Sequence, residues 1–223
     1  MKRARYKKGD YRKAAQLFYH ATGRQYRLYF TGSEKRHKRT ETVLPYLAKR
    51  GELVVMAEEG EYVYIARRYC KGTGFIDLVE HGLMTTEILI RFWRADMQGL
   101  IMPSREFHGM GSVPDGGLMY PNSLLLWETT THDNFLRHKV ETKIALYDRH
   151  LPGIEGYFKR GAIVVFVIDA PPEQVKQLSV RYNDAYYFID YETFKNVPVG
   201  QALTAPIYLM KGQRYPLRDV QPK

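Results

Sequence analysis

The chain has 223 residues, of which 44% are hydrophobic, and this is enough for one large domain or two small ones. Its single cysteine excludes an internal disulfide framework and a multi-cysteine zinc site, and it favours a reducing cytoplasm. The basic start of the chain is followed by no apolar segment, and the longest apolar run, residues 162–168, is far shorter than a membrane span of about 20 residues. We therefore expect a soluble, cytoplasmic protein with no membrane partner.

The net charge of +10 is concentrated in the first quarter of the chain. Residues 1–50 hold 15 lysines and arginines and 3 acidic residues, a balance of +12, whereas residues 51–223 have a balance of −2. Such a block is typical of an element that binds a polyanion, and nucleic acid is the favoured interpretation. A basic surface that is simply solvated stays open. An anionic membrane surface is less favoured, because no amphipathic basic helix with a bulky apolar face is present.

The first domain, residues 1–70, is predicted to begin with three helices. Apolar residues at helical spacing predict the first helix over residues 11–22, with Asp10 as its N-cap. A short second helix is expected over residues 24–29. Ser33 can cap a third helix, which is expected to carry its cations in its first turns and to end at Arg50.

A β-hairpin is predicted after the third helix. Two β-rich runs, residues 52–56 and 61–68, flank a polar turn with Gly60. Three helices and a hairpin predict a winged helix-turn-helix, in which the third helix enters the major groove and the hairpin touches the DNA backbone. The predicted DNA-binding residues are the cations of the third helix, the N-terminal arm and the hairpin: Lys35, Arg36, Lys38, Arg39, Arg3, Arg5 and Arg67. A helical domain whose basic helix is only solvated, or one that binds a partner protein, stays open.

The second domain, residues 71–223, is predicted to contain helices and strands in alternation. The predicted helices cover residues 77–96, 133–150 and 173–178, and the predicted strands cover residues 100–102, 114–120, 124–130, 162–168 and 185–189. This order predicts an α/β fold with a mixed β-sheet and helices on both faces. A turn is expected at Pro152-Gly153.

Two carboxylates in this domain form a candidate metal site. Pro114-Asp115 and the strand that ends at Glu128 resemble the PD…(D/E)xK pattern of metal-dependent nucleases, with Thr130 at the position of the lysine. Strand alternation puts Glu128 and Thr130 on one face. A carboxylate on a buried strand is costly unless it is paired or bound to metal. The pattern predicts Asp115 and Glu128 as catalytic residues and as ligands of Mg²⁺ or Mn²⁺.

Lys143 is the candidate for the missing lysine. It lies at the edge of the apolar stripe of the predicted helix 133–150, which consists of Leu136, Val140, Ile144 and Tyr147. Two interpretations stay open. The lysine can extend to solvent while its stem covers apolar surface, or it can aim at the carboxylates and replace the lysine absent at Thr130. Lys139, one turn earlier, is the second candidate.

Taken together, these features resemble the replication-relaxation family of plasmids and other mobile elements. The resemblance covers most of residues 10–190, and the motifs that carry it are the predicted winged helix, His81-Gly82-Leu83, Pro114-Asp115-Gly116, Glu128, and the helix with Lys139, Lys143 and Tyr147. It implies a restriction-endonuclease-like second domain and a DNA-binding protein that acts in replication, relaxation or mobilisation. Double-stranded DNA is the expected partner, a relaxase or replication initiator a further one, and a homodimer stays open.

Three functions remain to be distinguished. The favoured one is a DNA-binding accessory protein with an impaired nuclease-like domain. The alternative is a Mg²⁺- or Mn²⁺-dependent DNA endonuclease that uses Asp115, Glu128 and a migrated Lys143. The third is a scaffolding partner of a relaxase or initiator. The sequence has no Walker loop and no His-x-His motif beside its 18 tyrosines, which disfavours ATP-driven work and covalent tyrosine chemistry.

Overall fold

The chain divides into two compact units, residues 1–90 and 91–223. The computed structural model describes residues 7–18, 20–35, 37–58, 60–67, 70, 78–111, 113–182 and 186–217. The predicted domain boundary after residue 70 lies beside residues 71–77, which are outside the described part. Each unit has a sheet of its own, and each is described below by itself.

The first unit combines helices with a three-stranded antiparallel sheet. Its helices are α1 (Lys8–Leu17), α2 (Gly23–Thr31) and α3 (Lys38–Lys49), together with residues 79–90 of α4 (Val79–Ala95). Its strands are β1 (Ala21–Thr22), β2 (Leu53–Glu58) and β3 (Glu61–Ala66). The sheet order is β1-β3-β2, and the predicted hairpin of β2 and β3 is confirmed.

The ends of the first helices differ from the prediction. The first helix stops at Leu17 because Ala21 and Thr22 pair with Tyr64 and Val63 on β3. Thr22 then acts as the N-cap of α2, where its hydroxyl accepts a hydrogen bond from a backbone N–H. Such a long-range strand pairing has no signal in the helical spacing of the residues before it.

Two predicted N-caps are also wrong. Asp10 lies inside α1, where its carboxylate accepts a hydrogen bond of 2.6 Å from the backbone N–H of Lys7. The third helix begins at Lys38 and not just after Ser33, so that Lys35 precedes it. The hydroxyl of Ser33 instead accepts a hydrogen bond from the backbone N–H of Lys35, which stabilises a local turn.

The second unit is an α/β structure built on a mixed sheet, which in the described residues has seven strands in the order β10-β9-β8-β7-β6-β5-β4. The strands are β4 (Leu100–Pro103), β5 (Gly116–Met119), β6 (Ser123–Thr130), β7 (Gly161–Ile168), β8 (Tyr186–Asp190), β9 (Tyr208–Met210) and β10 (Gln213–Tyr215). The three central strands, β6, β7 and β8, are parallel, and the remaining pairs are antiparallel. The predicted mixed sheet is confirmed.

Helices of the second unit pack on both faces of this sheet. They are α5 (His132–Leu136), α6 (Lys139–Phe158), α7 (Pro172–Arg181) and α8 (Tyr191–Asn196), together with the end of α4. Leu126 and Phe166 belong to one buried cluster with residues of α6 and α7. Trp127, on the opposite face, lies 5.7 Å from the ring of Phe92 on α4, which in turn packs on Phe194 of α8.

The predicted helix 133–150 is two helices. It breaks before Lys139, where His138 has a positive φ of 54°, and the exposed fraction of Leu136 in α5 is 62%, so Leu136 does not belong to the buried stripe. The predicted turn at Pro152-Gly153 is wrong, since α6 continues to Phe158. Burial of Ile154 stabilises this continuation despite the backbone hydrogen bond that proline removes. In the described residues, no helix has both the length and the apolar character needed to cross a membrane.

Candidate functional site

The two predicted carboxylates meet at the end of the β5–β6 hairpin. The register pairs Gly116 with Trp127, so that Asp115, one residue earlier, lies opposite Glu128. The backbone N–H of Asp115 donates to the carbonyl of Trp127 at 3.1 Å, and its Oδ2 accepts from the backbone N–H of Thr129 at 2.7 Å. The structure therefore brings Asp115 and Glu128 together across the hairpin.

Gly116 makes this approach of the two strands sterically possible. A Cβ atom at this position would lie 2.3 Å from Cζ2 of Trp127, well inside van der Waals contact. Trp127 is fully buried and packs on Phe92, so its ring has little room to move away. A glycine directly after Asp115 is thus required by the side chain across the hairpin, which is a structural reason for this part of the motif.

The carboxylate of Glu128 is buried and is bonded by two residues of α6. Its exposed fraction is 1%. Nζ of Lys143 lies 2.9 Å from its Oε2 and 3.1 Å from its Oε1, and the Tyr147 hydroxyl donates to Oε1 at 2.8 Å. Nζ of Lys143 also donates to the carbonyl of Val113 at 3.3 Å. Of the two interpretations of Lys143, contact with the carboxylates is the one found.

Burial changes the protonation of this cluster. It raises the pKa of Glu128 to about 8, with a further rise from the charge of Asp115, while Lys143 and Tyr147 act in the opposite direction. For Lys143, burial lowers the pKa, but the charges of Glu128 and Asp115 outweigh this effect and raise the pKa on balance. Glu128 therefore keeps its proton to a much higher pH than a solvated glutamate, and Lys143 stays charged throughout.

The other residues proposed for this site have different positions. Thr130 is buried on β6, where it has no charge to replace a lysine, and Lys139 is exposed at the start of α6. The hydroxyl of Tyr147 was not predicted as a contact of Glu128. Its spacing of four residues from Lys143 puts both side chains on one side of the helix, and this was the signal that could have identified it.

These residues do not fit a resident divalent cation. Oε1 of Glu128 already accepts two hydrogen bonds, its Oε2 lies 2.9 Å from the Lys143 ammonium, and Oδ2 of Asp115 accepts a hydrogen bond from the backbone N–H of Thr129. Among the described residues, no group of three or more His, Cys, Asp or Glu side chains could hold a metal ion. Mg²⁺ requires near-octahedral oxygen coordination. A cation at Glu128 would have to displace the Lys143 ammonium and the carboxyl proton.

The second candidate site is the exposed face of α3. Thr40, Val43, Leu44 and Leu47 are buried on the inner face of the helix. At about 100° per residue, Lys38, Thr42, Pro45 and Lys49 lie on the opposite side within a stripe of roughly 60°. Arg39 is exposed beside this stripe. We refer to Lys38, Arg39 and Lys49 as the α3 cations.

The remaining predicted DNA-binding residues are distributed around this helix. Lys35 is exposed just before α3, while Arg3, Arg5 and Arg36 lie outside the described residues. Arg67 is exposed at the end of the hairpin, and its Nε donates to the carbonyl of Gly51 at 2.6 Å. Part of the guanidinium of Arg67 therefore stabilises the loop after α3.

The hairpin itself has little basic character. The sequence that links its strands, residues 58–61, contains three glutamates, whose negative charge would repel phosphates. Ala57 and Tyr62 are cross-strand partners on its exposed face, and the exposed fraction of Tyr62 is 65%. Tyr62 and Arg67, and not the acidic residues between the strands, are therefore the exposed side chains of the hairpin that are available for contact with a nucleic acid.

Comparisons of this chain with family models, with curated proteins and with solved structures found no match. The resemblance to the replication-relaxation family, which was drawn from short motifs and their order, stays a prediction. The geometry and charge of the Asp115–Glu128 cluster and of the exposed face of α3 are therefore the observations that bear on function.

Proposed function

We propose that this chain is a DNA-binding accessory protein whose first unit binds double-stranded DNA through the α3 cations. In this proposal the first unit is a winged helix-turn-helix, and α3 is its recognition helix in the major groove. The second unit, a degenerate restriction-endonuclease-like domain, provides a further contact with DNA or with a relaxase or initiator. The process served is replication, relaxation or mobilisation of a plasmid or other mobile element.

The single observation that carries this proposal is the availability of the α3 cations. In the described part of the first unit, ion pairs are made by Arg12, Arg24 and Arg50, and none is made by the α3 cations. Unpaired, solvated lysines and arginines on one helix face can bind phosphates and release condensed counterions. The concentration of the chain's charge in residues 1–50 supports the same assignment.

The element order of the first unit supports the winged-helix assignment. Strand β1 lies between α1 and α2 and pairs with β3 of the hairpin that follows α3. Packing of the inner face of α3, with Val43, Leu44 and Leu47 buried, leaves the opposite face of the helix free for a ligand. A helix fixed in this way can enter a groove without reordering of its backbone.

An endonuclease is the second candidate, and the contact of Lys143 with Glu128 is the observation that favours it. A lysine beside two carboxylates is the set of groups that such an enzyme requires. The observation against an endonuclease is that the oxygens of Glu128 already contact Lys143 and Tyr147. A plasmid-nicking assay with Mn²⁺ distinguishes the two. The DNA-binding proposal predicts no cutting, whereas cutting that is lost in Asp115→Asn would establish the enzyme.

The DNA-binding proposal is tested by charge reversal on α3. Fluorescence anisotropy with a labelled duplex at fixed salt should show that Lys38→Glu/Arg39→Glu weakens binding at least about 100-fold. The matched control is Arg149→Glu/Lys176→Glu, which changes the net charge equally at exposed residues of the second unit. Its affinity should fall far less. Equal losses in the two variants would mean that α3 is not the DNA-binding surface.

A further inference from the structure

We propose that the Lys143 ammonium is the resident cation of the Asp115–Glu128 site, so that the positive charge of this site is supplied by the chain's own side chain and not by a metal ion. Two-carboxylate sites of this kind commonly hold a divalent metal. Here, the cation would instead be supplied by α6. The inference concerns only the second unit and is independent of whether the first unit binds DNA.

The ammonium group of Lys143 fits its acceptors. Lysine has three N–H donors. Nζ of Lys143 donates to Oε1 of Glu128 at 3.1 Å and to the carbonyl of Val113 at 3.3 Å, and it forms an ion pair with Oε2 of Glu128 at 2.9 Å. These are N–H···O distances, whereas Mg²⁺ holds its oxygen ligands at about 2.0–2.1 Å. The acceptors therefore lie around the ammonium at ordinary hydrogen-bonding distances.

The helix that carries Lys143, α6, is firmly packed on the sheet. Val140, Ile144 and Tyr147 are all buried against the sheet, and they fix α6 on both sides of Lys143. Tyr147 adds a hydrogen bond to the same carboxylate. Packing thus fixes the helix position from which the side chain of Lys143, 36% of which is exposed, reaches Glu128.

This chain lacks the lysine of the nuclease pattern at position 130. Thr130 stands on β6 where the pattern has lysine, and it is buried without charge. If the site held a metal as well as a lysine, two cations would have to share the oxygens of Asp115 and Glu128. With Lys143 as the sole cation, a neutral residue at Thr130 is expected, because the ammonium and the proton that Glu128 keeps together already balance the charge of the two carboxyl groups.

The proposal predicts that removing Lys143 creates a metal site. Mn²⁺ is titrated into the full chain, and bound Mn²⁺ is measured by loss of the free-ion electron paramagnetic resonance signal. Lys143→Ala should bind one Mn²⁺ at least ten times more tightly than the wild type, and Lys143→Ala/Asp115→Asn should lose this binding. Lys139→Ala, which removes an exposed lysine one turn away, should resemble the wild type.

Two results would overturn the proposal. One is binding of a Mn²⁺ ion by the wild type that Asp115→Asn abolishes, and this measurement needs no variant at Lys143. The other is a folded Lys143 variant that gains no Mn²⁺ affinity. If Lys143→Ala does not fold, Lys143→Met replaces it, since methionine retains most of the apolar stem of lysine.

Discussion

The exposed face of α3 and the buried face of α6 use the same type of side chain for different purposes. On α3, Lys38 and Lys49 project from the side of the helix opposite its packed face and make no ion pair in the described residues. On α6, Lys143 is held at 2.9 Å from a carboxylate whose exposed fraction is 1%. Lys38 and Lys49 are available to a polyanion, whereas the charge of Lys143 is already paired with Glu128.

This difference shows that a charge count locates a function only when the partners of each charge are known. The +12 balance of residues 1–50 includes arginines that are already paired with Glu34, Glu52 and Glu87. The cations that remain for a ligand are a subset, and in the described part of the chain α3 presents three of them. Exposed and buried charges also respond differently to salt and to pH, and this difference provides the tests.

The largest expected effect is the loss of stability on breaking the buried pair. Lys143→Met should lower the free energy of unfolding by about 3 kcal/mol at pH 9, because Glu128 then loses the cation that balances it. The loss should be smaller at pH 6, where Glu128 takes up a proton. Urea unfolding at both pH values measures this, and Lys139→Met, at an exposed position, should stay within about 0.5 kcal/mol. Equal losses in the two variants would contradict a buried ion pair.

The pH dependence of stability should come mainly from Glu128. Its pKa is raised from 4.5 to about 8 in the folded chain, so the folded state binds a proton more tightly than the unfolded state. Stability from this group is fully present below about pH 4.5 and is lost as the pH rises through 8. Glu128→Gln should remove this loss, which is on the order of 3 kcal/mol. Denaturant unfolding between pH 5 and 9 checks it, and parallel curves for the two proteins would refute the assignment.

A smaller effect is expected at the exposed hairpin. Tyr62→Ala should weaken binding to duplex DNA by about threefold to tenfold, since the largely exposed tyrosine ring is available for contact with DNA. Lys38→Ala should have a larger effect on the same assay. The matched control is Tyr157→Ala, an equally exposed tyrosine of the second unit, which should bind as the wild type does. A Tyr62 effect larger than that of Lys38 would shift the DNA-binding surface to the hairpin.

Local patterns predicted the parts of the structure that depend on local rules. Strand alternation placed Glu128 and Thr130 on one face of β6, and the glycine-containing turn predicted the hairpin of β2 and β3. The end of α1 and the course of α6 past Pro152 were not predicted, because they depend on pairing with β3 and on burial of Ile154. Helix phase alone left two directions for Lys143, and only the position of Glu128 across the β5–β6 hairpin decides between them.

The most direct test of the whole account is the salt dependence of DNA binding in two double variants. The slope of log Kd against log salt should fall in magnitude by about 2 for Lys38→Ala/Lys49→Ala, because each lysine that binds a phosphate contributes about 0.9 to it. For Lys143→Met/Glu128→Gln, which removes a partly buried cation and its buried partner, the slope should equal that of the wild type. An unchanged slope in the α3 variant, or a reduced slope in the α6 variant, would contradict the account.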